Sequence, residues 1–147
     1  EPGVTVLDAG TGSGILAIAA IRLGASAVTA FDTDALAVRA TLDNAAQNGV
    51  VERLRVWRGE LDSVRAEAGP GPWDIVVANI LAPVIIGLLG ERGLLEYVAP
   101  DGHLILSGII DEQGPDVEAA LSAAGGQVRR VITAGDWVTY VAGHRQG

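Results

Sequence analysis

The sequence has no cysteine and no lysine. Without cysteine there can be no disulfide scaffold, no thiolate metal site and no thiol nucleophile, which fits a cytoplasmic protein. Without lysine there can be no phosphate loop of the G-x-x-x-x-G-K-[ST] kind, whose amine must reach the outer phosphates. The ten basic residues are all arginine, and only Arg129 and Arg130 are adjacent. With a net charge of −8 the chain lacks the basic face of a nucleic-acid binder. An acidic domain suits a small molecule or a basic protein partner. No apolar run approaches a membrane span, and no signal-peptide pattern is present. No metal-ligand set is expected. The chain also opens without methionine, at Glu1-Pro2-Gly3, directly before its first apolar run, and reads as part of a longer protein.

What is present is organised around Val4–Ala20, VTVLDAGTGSGILAIAA. An apolar run ends in Asp8, passes through Gly10-Thr11-Gly12-Ser13-Gly14, and continues as an alanine-rich segment. This predicts a buried strand, a glycine loop and a helix. The loop is expected to present unpaired N–H groups at the helix start, where polar or anionic ligand atoms are favoured. A dinucleotide fingerprint reads G-x-G-x-x-G. Here the spacing is G-x-G-x-G, and Ile15 stands where that fingerprint wants its last glycine. The 147 residues, 49% of them apolar, suffice for one globular domain with a full core.

The rest of the chain alternates strand and helix. The first helix, Ser13 to Leu23, carries only Arg22 as a charge and is expected to be largely covered. A second strand, Ala27–Phe31, leads into Asp32-Thr33-Asp34. Asp32 lies about 20 residues past the loop, where nucleotide-binding α/β domains grip ribose hydroxyls. Asp34 or Thr33 can cap the next helix, which runs to about Asn48 with Val38, Leu42 and Ala45 on its core face. A third strand, Leu54–Trp57, brings Gly59 and Glu60 to its end, where backbone groups could read a base edge or simply turn the chain. Residues 66–72 read as a loop.

Trp73–Ala78 is a fourth strand, with Asn79-Ile80-Leu81-Ala82-Pro83 at its carboxyl end. Ligands of open α/β sheets sit outside the carboxyl ends of strands, where strand order reverses. Asn79 can therefore meet the reactive end of a ligand, or cap the following helix, or both. That helix, roughly Pro83–Val98, is interrupted by Gly87, Gly90 and Gly93. Pro100-Asp101-Gly102 signals a turn, and His103–Ser107 a fifth strand ending at Ser107-Gly108. His103 reads as structural. Glu112–Ala124 is a helix. Gln127–Thr133 and Trp137–Ala142 are separated only by Ala134-Gly135-Asp136, too short for a parallel crossover, so the sheet must end in an antiparallel hairpin. His144 falls in a polar tail expected to be exposed.

Taken together, these features resemble a class I S-adenosylmethionine-dependent methyltransferase. The fold implied is α/β, a doubly wound, Rossmann-like, mostly parallel seven-stranded sheet with a C-terminal antiparallel hairpin. VLDAGTGSGILAIAAIRLGA, FDTDALAV, NAAQNGV, IVVANILA, LILSGI and GDWVTYVA resemble, more closely, the ribosomal-protein L-eleven methyltransferase family (PrmA-like). Asn-Ile-Leu-Ala after the fourth strand is the most telling piece, because many amino-group methyltransferases carry Asn-Pro-Pro-aromatic there.

The resemblance implies an enzyme that methylates lysine ε-amines and the N-terminal α-amine of that ribosomal protein. It implies S-adenosyl-L-methionine as cofactor, held by Asp8, Gly10, Thr11, Gly12, Ser13 and Gly14 at its methionine part. Asp32 and Thr33 would serve the ribose, Gly59 and Glu60 the adenine side. Asn79 would lie beside the sulfonium and the incoming amine. Family members carry a substrate-recognition domain and a linker before the first motif, and this sequence starts after both. A monomeric, cytoplasmic catalytic domain is expected, with no membrane or direct nucleic-acid contact. The alternatives are another class I methyltransferase, with a small-molecule or nucleic-acid substrate, or a cofactor-binding fragment inactive without its missing half.

Overall fold

Thr5–Ala9 forms strand β1, and from Val6 to Ala9 every residue is buried. Burial on both faces is what a continuous apolar run requires. The computed structural model describes residues 3–146. With β2 (Ala27–Asp32), β3 (Leu54–Arg58), β4 (Trp73–Asn79), β5 (Val98–Ile110), β6 (Gly126–Ala134) and β7 (Trp137–His144), β1 forms one seven-stranded sheet in the order β3-β2-β1-β4-β5-β7-β6, the mostly parallel α/β arrangement expected. The chain groups into two compact units, residues 1–73 and 74–147.

In the first unit, β1 runs parallel to β2 (Ala27–Asp32), and β2 parallel to β3 (Leu54–Arg58). The register aligns Ala9 with Phe31 and Phe31 with Trp57. Gly10, Asp32 and Arg58 therefore leave the sheet at one carboxyl edge. Helix α1 (Ile15–Arg22) follows the glycine loop. It is less covered than expected: Ala17, Ile18 and Ile21 are buried, but Ile15 is 70% and the following Leu23 89% exposed. Apolar composition all round a helix does not bury it when only one stripe meets the sheet.

Helix α2 (Ala35–Gln47) is capped by Asp34, whose side chain accepts from Leu36 N at 2.9 Å. Ala45 is in the core as expected, but Leu42 is exposed and Thr41 takes the buried position beside it. The α2 stripe is thus turned by one residue from the apolar pattern, because a threonine hydroxyl is satisfied inside. A short helix α3 (Val64–Ala68) occupies the start of the segment expected to be a loop, with Val64 fully buried. The irregular stretch is confined to residues 69–72, where Pro70 and Pro72 exclude regular hydrogen bonding.

In the second unit, β4 (Trp73–Asn79) leads into α4 (Ala82–Gly90). The expected long helix breaks after Gly90. Gly93 takes φ +67, and a 3-10 turn at Leu94–Tyr97 follows. Strand β5 (Val98–Ile110) is much longer than expected and absorbs Pro100-Asp101-Gly102. The turn signal fails there because Gly102 sits against neighbouring backbone: an added Cβ would lie 2.7 Å from Asp74 O. Nor does the strand stop at Ser107-Gly108. One extra residue is inserted between Leu106 and Ile109 relative to its partner, a bulge, and pairing resumes to Ile110.

Helix α5 (Gly114–Ala123) is followed by β6 (Gly126–Ala134) and β7 (Trp137–His144). These pair antiparallel, as the short connection demanded, with Gly135 and Asp136 between them. β7 also pairs antiparallel with β5. His144 is not in an exposed tail. It ends β7, half-buried, with Nε2 2.7 Å from Val98 O. His103 lies 3.3 Å through Nδ1 from the Arg129 guanidinium, a structural contact.

Candidate functional site

The glycine loop is tied to β2 by its own backbone. Gly10 N and Thr11 N both donate to Phe31 O, at 3.0 and 3.1 Å. Gly12 N donates to Asp32 Oδ2 at 3.0 Å, and Gly14 N to Thr11 O at 2.9 Å. These four donors are spent inside the protein, so only part of the loop's N–H groups can face a ligand as expected. A loop so engaged is unsuited to wrapping a pyrophosphate, whose recognition uses those groups. It suits a ligand that needs close backbone approach. Gly12, at φ +59 and exposed, has nothing within 4 Å of where a Cβ would stand.

Asp32 is held on both oxygens, Oδ2 by Gly12 N and Oδ1 by Asp34 N at 3.0 Å. An ionised carboxylate offers about four lone-pair sites. Two are used to fix its plane, and the rest remain for hydroxyl donors.

Asp8 lies behind the loop with 2% of its surface exposed. Burial is the main cause that raises its pKa, to about 6. The nearby Thr11 hydroxyl opposes the shift, and the Asp32 charge adds to it. The Thr11 contact lowers the pKa without a well-formed bond, since Asp8 Oδ2 and Thr11 Oγ1 are both buried without a hydrogen-bond partner. Two buried polar atoms left open beside a glycine loop mark a place where a polar ligand group can enter.

Two residues to which sequence reading assigned no role at the site support the loop from α2. Thr41, fully buried, donates from Oγ1 to Gly12 O at 3.0 Å, and Asn44 Nδ2 donates to Ser13 O at 2.8 Å. Thr41 also explains Gly14: a Cβ there would stand 2.7 Å from Thr41 Cγ2, at φ +83. The signal available was Thr41 itself, a polar residue beside the apolar stripe of α2.

At the end of β3, Gly59 N donates to Asp32 O at 2.9 Å, and Glu60 O accepts from Ser63 N at 3.0 Å. These two groups are engaged within the protein and turn the chain there. Thr33 O accepts from Arg58 Nε at 3.1 Å. The first unit thus brings Asp8, the loop, Asp32, Thr33 and Gly59 to one edge.

Asn79, in the second unit, ends β4 with its side chain exposed. It does not cap α4, whose N-cap is Leu81 with Pro83 in the first turn. A Cβ on Gly108, at φ +77 in the β5 bulge, would lie 2.7 Å from Asn79 Oδ1 and 3.1 Å from Ile80 O. The bulge therefore clears space for the asparagine.

The profile of the family described as "Ribosomal protein L11 methyltransferase (PrmA)" matches residues 1–145. The chain belongs to this family. A relative from Pelotomaculum thermopropionicum, named ribosomal protein L11 methyltransferase, is 47% identical over 142 residues, covering 97% of this chain and 44% of that protein. One of the same name from Exiguobacterium sibiricum is 44% identical over 137 residues, covering 93% and 42%. The crystal structure of a ribosomal protein L11 methylase from Lactobacillus delbrueckii subsp. bulgaricus superposes with a TM-score of 0.88 at 37% identity, covering 99% of this chain and 72% of that one. The chain thus spans less than half the length of the curated relatives it matches. A methyltransferase from Thiobacillus denitrificans in complex with S-adenosyl-L-homocysteine shares the fold, with a TM-score of 0.73 at 14% identity.

Proposed function

We propose that residues 1–147 are the S-adenosylmethionine-binding catalytic domain of a methyltransferase acting on lysine and N-terminal amino groups of ribosomal protein L11. Family membership and the names of its relatives support this reading. The observation that carries it is the Asp32 carboxylate, oriented by Gly12 N and Asp34 N with acceptor capacity left over. The residues fit the cofactor in kind. Asp32 accepts two hydroxyls of a vicinal diol. The open Asp8 and Thr11 atoms and the exposed backbone at Gly12 suit a polar amino-acid end. When bound, S-adenosylmethionine supplies an activated methyl group.

The protein's part is then mostly positioning, which can contribute on the order of 7–11 kcal/mol. An amine must be neutral to act as a nucleophile, so a lysine of pKa about 10.4 has to lose its proton, helped by desolvation. Asn79 accepts from the amine through its side-chain carbonyl and orients it, while water takes the proton. The family pattern Asn-Ile-Leu-Ala, residues 79–82, supports that role. The acidic chain favours a basic protein substrate over nucleic acid, and a monomer acting in the cytoplasm is consistent with this activity. Among the described residues no helix is long and apolar enough to cross a membrane.

Calorimetric titration with S-adenosylhomocysteine tests the cofactor assignment, with NADH as control ligand and Asp32→Ala beside the parent. Binding of the first ligand alone, lost in the variant, is the expected result. Binding of NADH instead would overturn it. Mass spectrometry of purified L11 after incubation with enzyme and cofactor then tests the substrate: methyl groups on lysine and the α-amine are expected.

A further inference from the structure

We propose that Thr41 and Asn44 are positioning residues for the cofactor, acting through the peptide planes of the glycine loop. The inference rests on the cofactor reading above. Both side chains take consecutive loop carbonyls, Gly12 O at 3.0 Å and Ser13 O at 2.8 Å. In a trans peptide the C=O and the following N–H point in opposite directions. The described cis bond lies elsewhere, at Gly71-Pro72. Drawing the Gly12 carbonyl toward α2 therefore turns the Ser13 N–H away from α2, toward the exposed side of the loop. Drawing the Ser13 carbonyl the same way aims Gly14 N at Thr11 O, the bond observed at 2.9 Å.

The loop is thus held from both sides. Asp32 grips the N–H of Gly12 and Thr41 grips its carbonyl. The backbone of the helix turn that carries Asn44 is tied from further along α2. Asn48 Nδ2 donates to Asn44 O at 2.8 Å, and Arg22 donates to Asn48 Oδ1 at 3.3 Å. Arg22 and Asn48 thus tie the end of α1 to the turn of α2 from which the Asn44 side chain reaches the loop. This tie gives the NAAQN stretch, residues 44–48, a task toward the ligand without contact with it. A preset Ser13 N–H needs no ordering when a polar ligand group arrives, and preorganisation of that kind raises affinity.

Thr41→Val removes the hydroxyl and keeps the bulk. Thr41→Ser keeps the hydroxyl, and Asn44→Ala tests the second bond at a half-exposed position that folding tolerates. Titration with S-adenosylhomocysteine should show affinity falling about five- to tenfold for Thr41→Val and for Asn44→Ala. Thr41→Ser should stay within about twofold. Unchanged affinity in Thr41→Val and Asn44→Ala would overturn the proposal. So would a loss in the serine variant that the valine variant does not share, which would mark a packing role of the methyl group. Amide order of Gly12 and Ser13, read by nitrogen-15 relaxation without ligand, separates this inference from the cofactor reading. Order lost in Thr41→Val and kept in Thr41→Ser supports positioning even if the parent binds no S-adenosylhomocysteine, a failure that would count against the cofactor alone. Unaltered order in Thr41→Val would overturn it.

Discussion

Gly12 and Asp32 stand 20 positions apart in sequence and are joined by a 3.0 Å hydrogen bond from the glycine N–H to the carboxylate. The bond makes the glycine loop and the end of β2 one unit. A ligand held by Asp32 is therefore held in fixed relation to the loop. Asp32→Asn preserves shape and one acceptor but removes the charge. Affinity for S-adenosylhomocysteine should fall by roughly 10- to 100-fold, the range for a lost charge-assisted hydrogen bond. Asp32→Ala should also lower unfolding free energy by about 1 kcal/mol, because Gly12 N and Asp34 N lose their partner to water. Calorimetry and urea titration measure the two effects separately.

Asp8 gives a pH signature. In the folded chain it holds its proton to about pH 6, against 3.8 for an ordinary aspartate. Between those values the folded state binds more protons than the unfolded state, so stability falls as pH rises. The contribution is fully present below about pH 4 and lost above about pH 6. At roughly 1.4 kcal/mol per pH unit, the carboxylate costs up to about 3 kcal/mol at neutral pH. Asp8→Asn should stabilise the protein at pH 8 by up to that amount and leave stability near pH 4 almost unchanged. Urea unfolding of parent and variant at both values checks it. An equal difference at both would place the effect in packing rather than charge.

Much of this edge was legible because its signals are local. The spacing of Gly10, Gly12 and Gly14 marks a strand–loop–helix turn, the aspartate marks the end of β2, and the short β6–β7 connection allows only an antiparallel pair. What the sequence concealed was where polar groups find partners. Gly10, Thr11 and Gly12 donate to β2, an arrangement set by strand register and not by loop composition. Leu42 and Thr41 exchange inside and outside because a carbonyl of another segment accepts the Thr41 hydroxyl. Pro100-Asp101-Gly102 signals a turn by composition, yet lies within β5, where Gly102 answers to the Asp74 backbone beside it.

The pairing of Gly14 with Thr41 predicts a repairable defect. Alanine at position 14 meets two separate costs. The left-handed conformation, φ +83, costs about 1–2 kcal/mol for a residue with a Cβ. The approach to 2.7 Å from Thr41 Cγ2 adds overpacking of about 1–3 kcal/mol. Gly14→Ala should therefore destabilise by about 2–5 kcal/mol. Adding Thr41→Ser removes the offending methyl and keeps the hydroxyl. The double variant should recover the packing part and not the conformational part. A double-mutant cycle by urea unfolding gives that coupling directly, and strict additivity would show that the two side chains do not compete for space.

Asn79 and Gly108 predict a loss of turnover that folding does not explain. Asn79 is exposed and leaves the capping of α4 to Leu81, so Asn79→Ala should change unfolding free energy by no more than about 0.5 kcal/mol. If its carbonyl orients the incoming amine, methylation of L11 should slow at least tenfold, while affinity for S-adenosylhomocysteine moves little. Gly108→Ala approaches the same atom from behind. Its Cβ would crowd Asn79 Oδ1 at 2.7 Å and force the asparagine to move. It should mimic Asn79→Ala in turnover and, unlike it, lose stability as well, because φ +77 suits glycine. Combining the two should slow methylation no further than Asn79→Ala alone, since the crowded atom is then gone. A further slowing in the double variant would mean that the bulge acts on the reaction by a route other than Asn79.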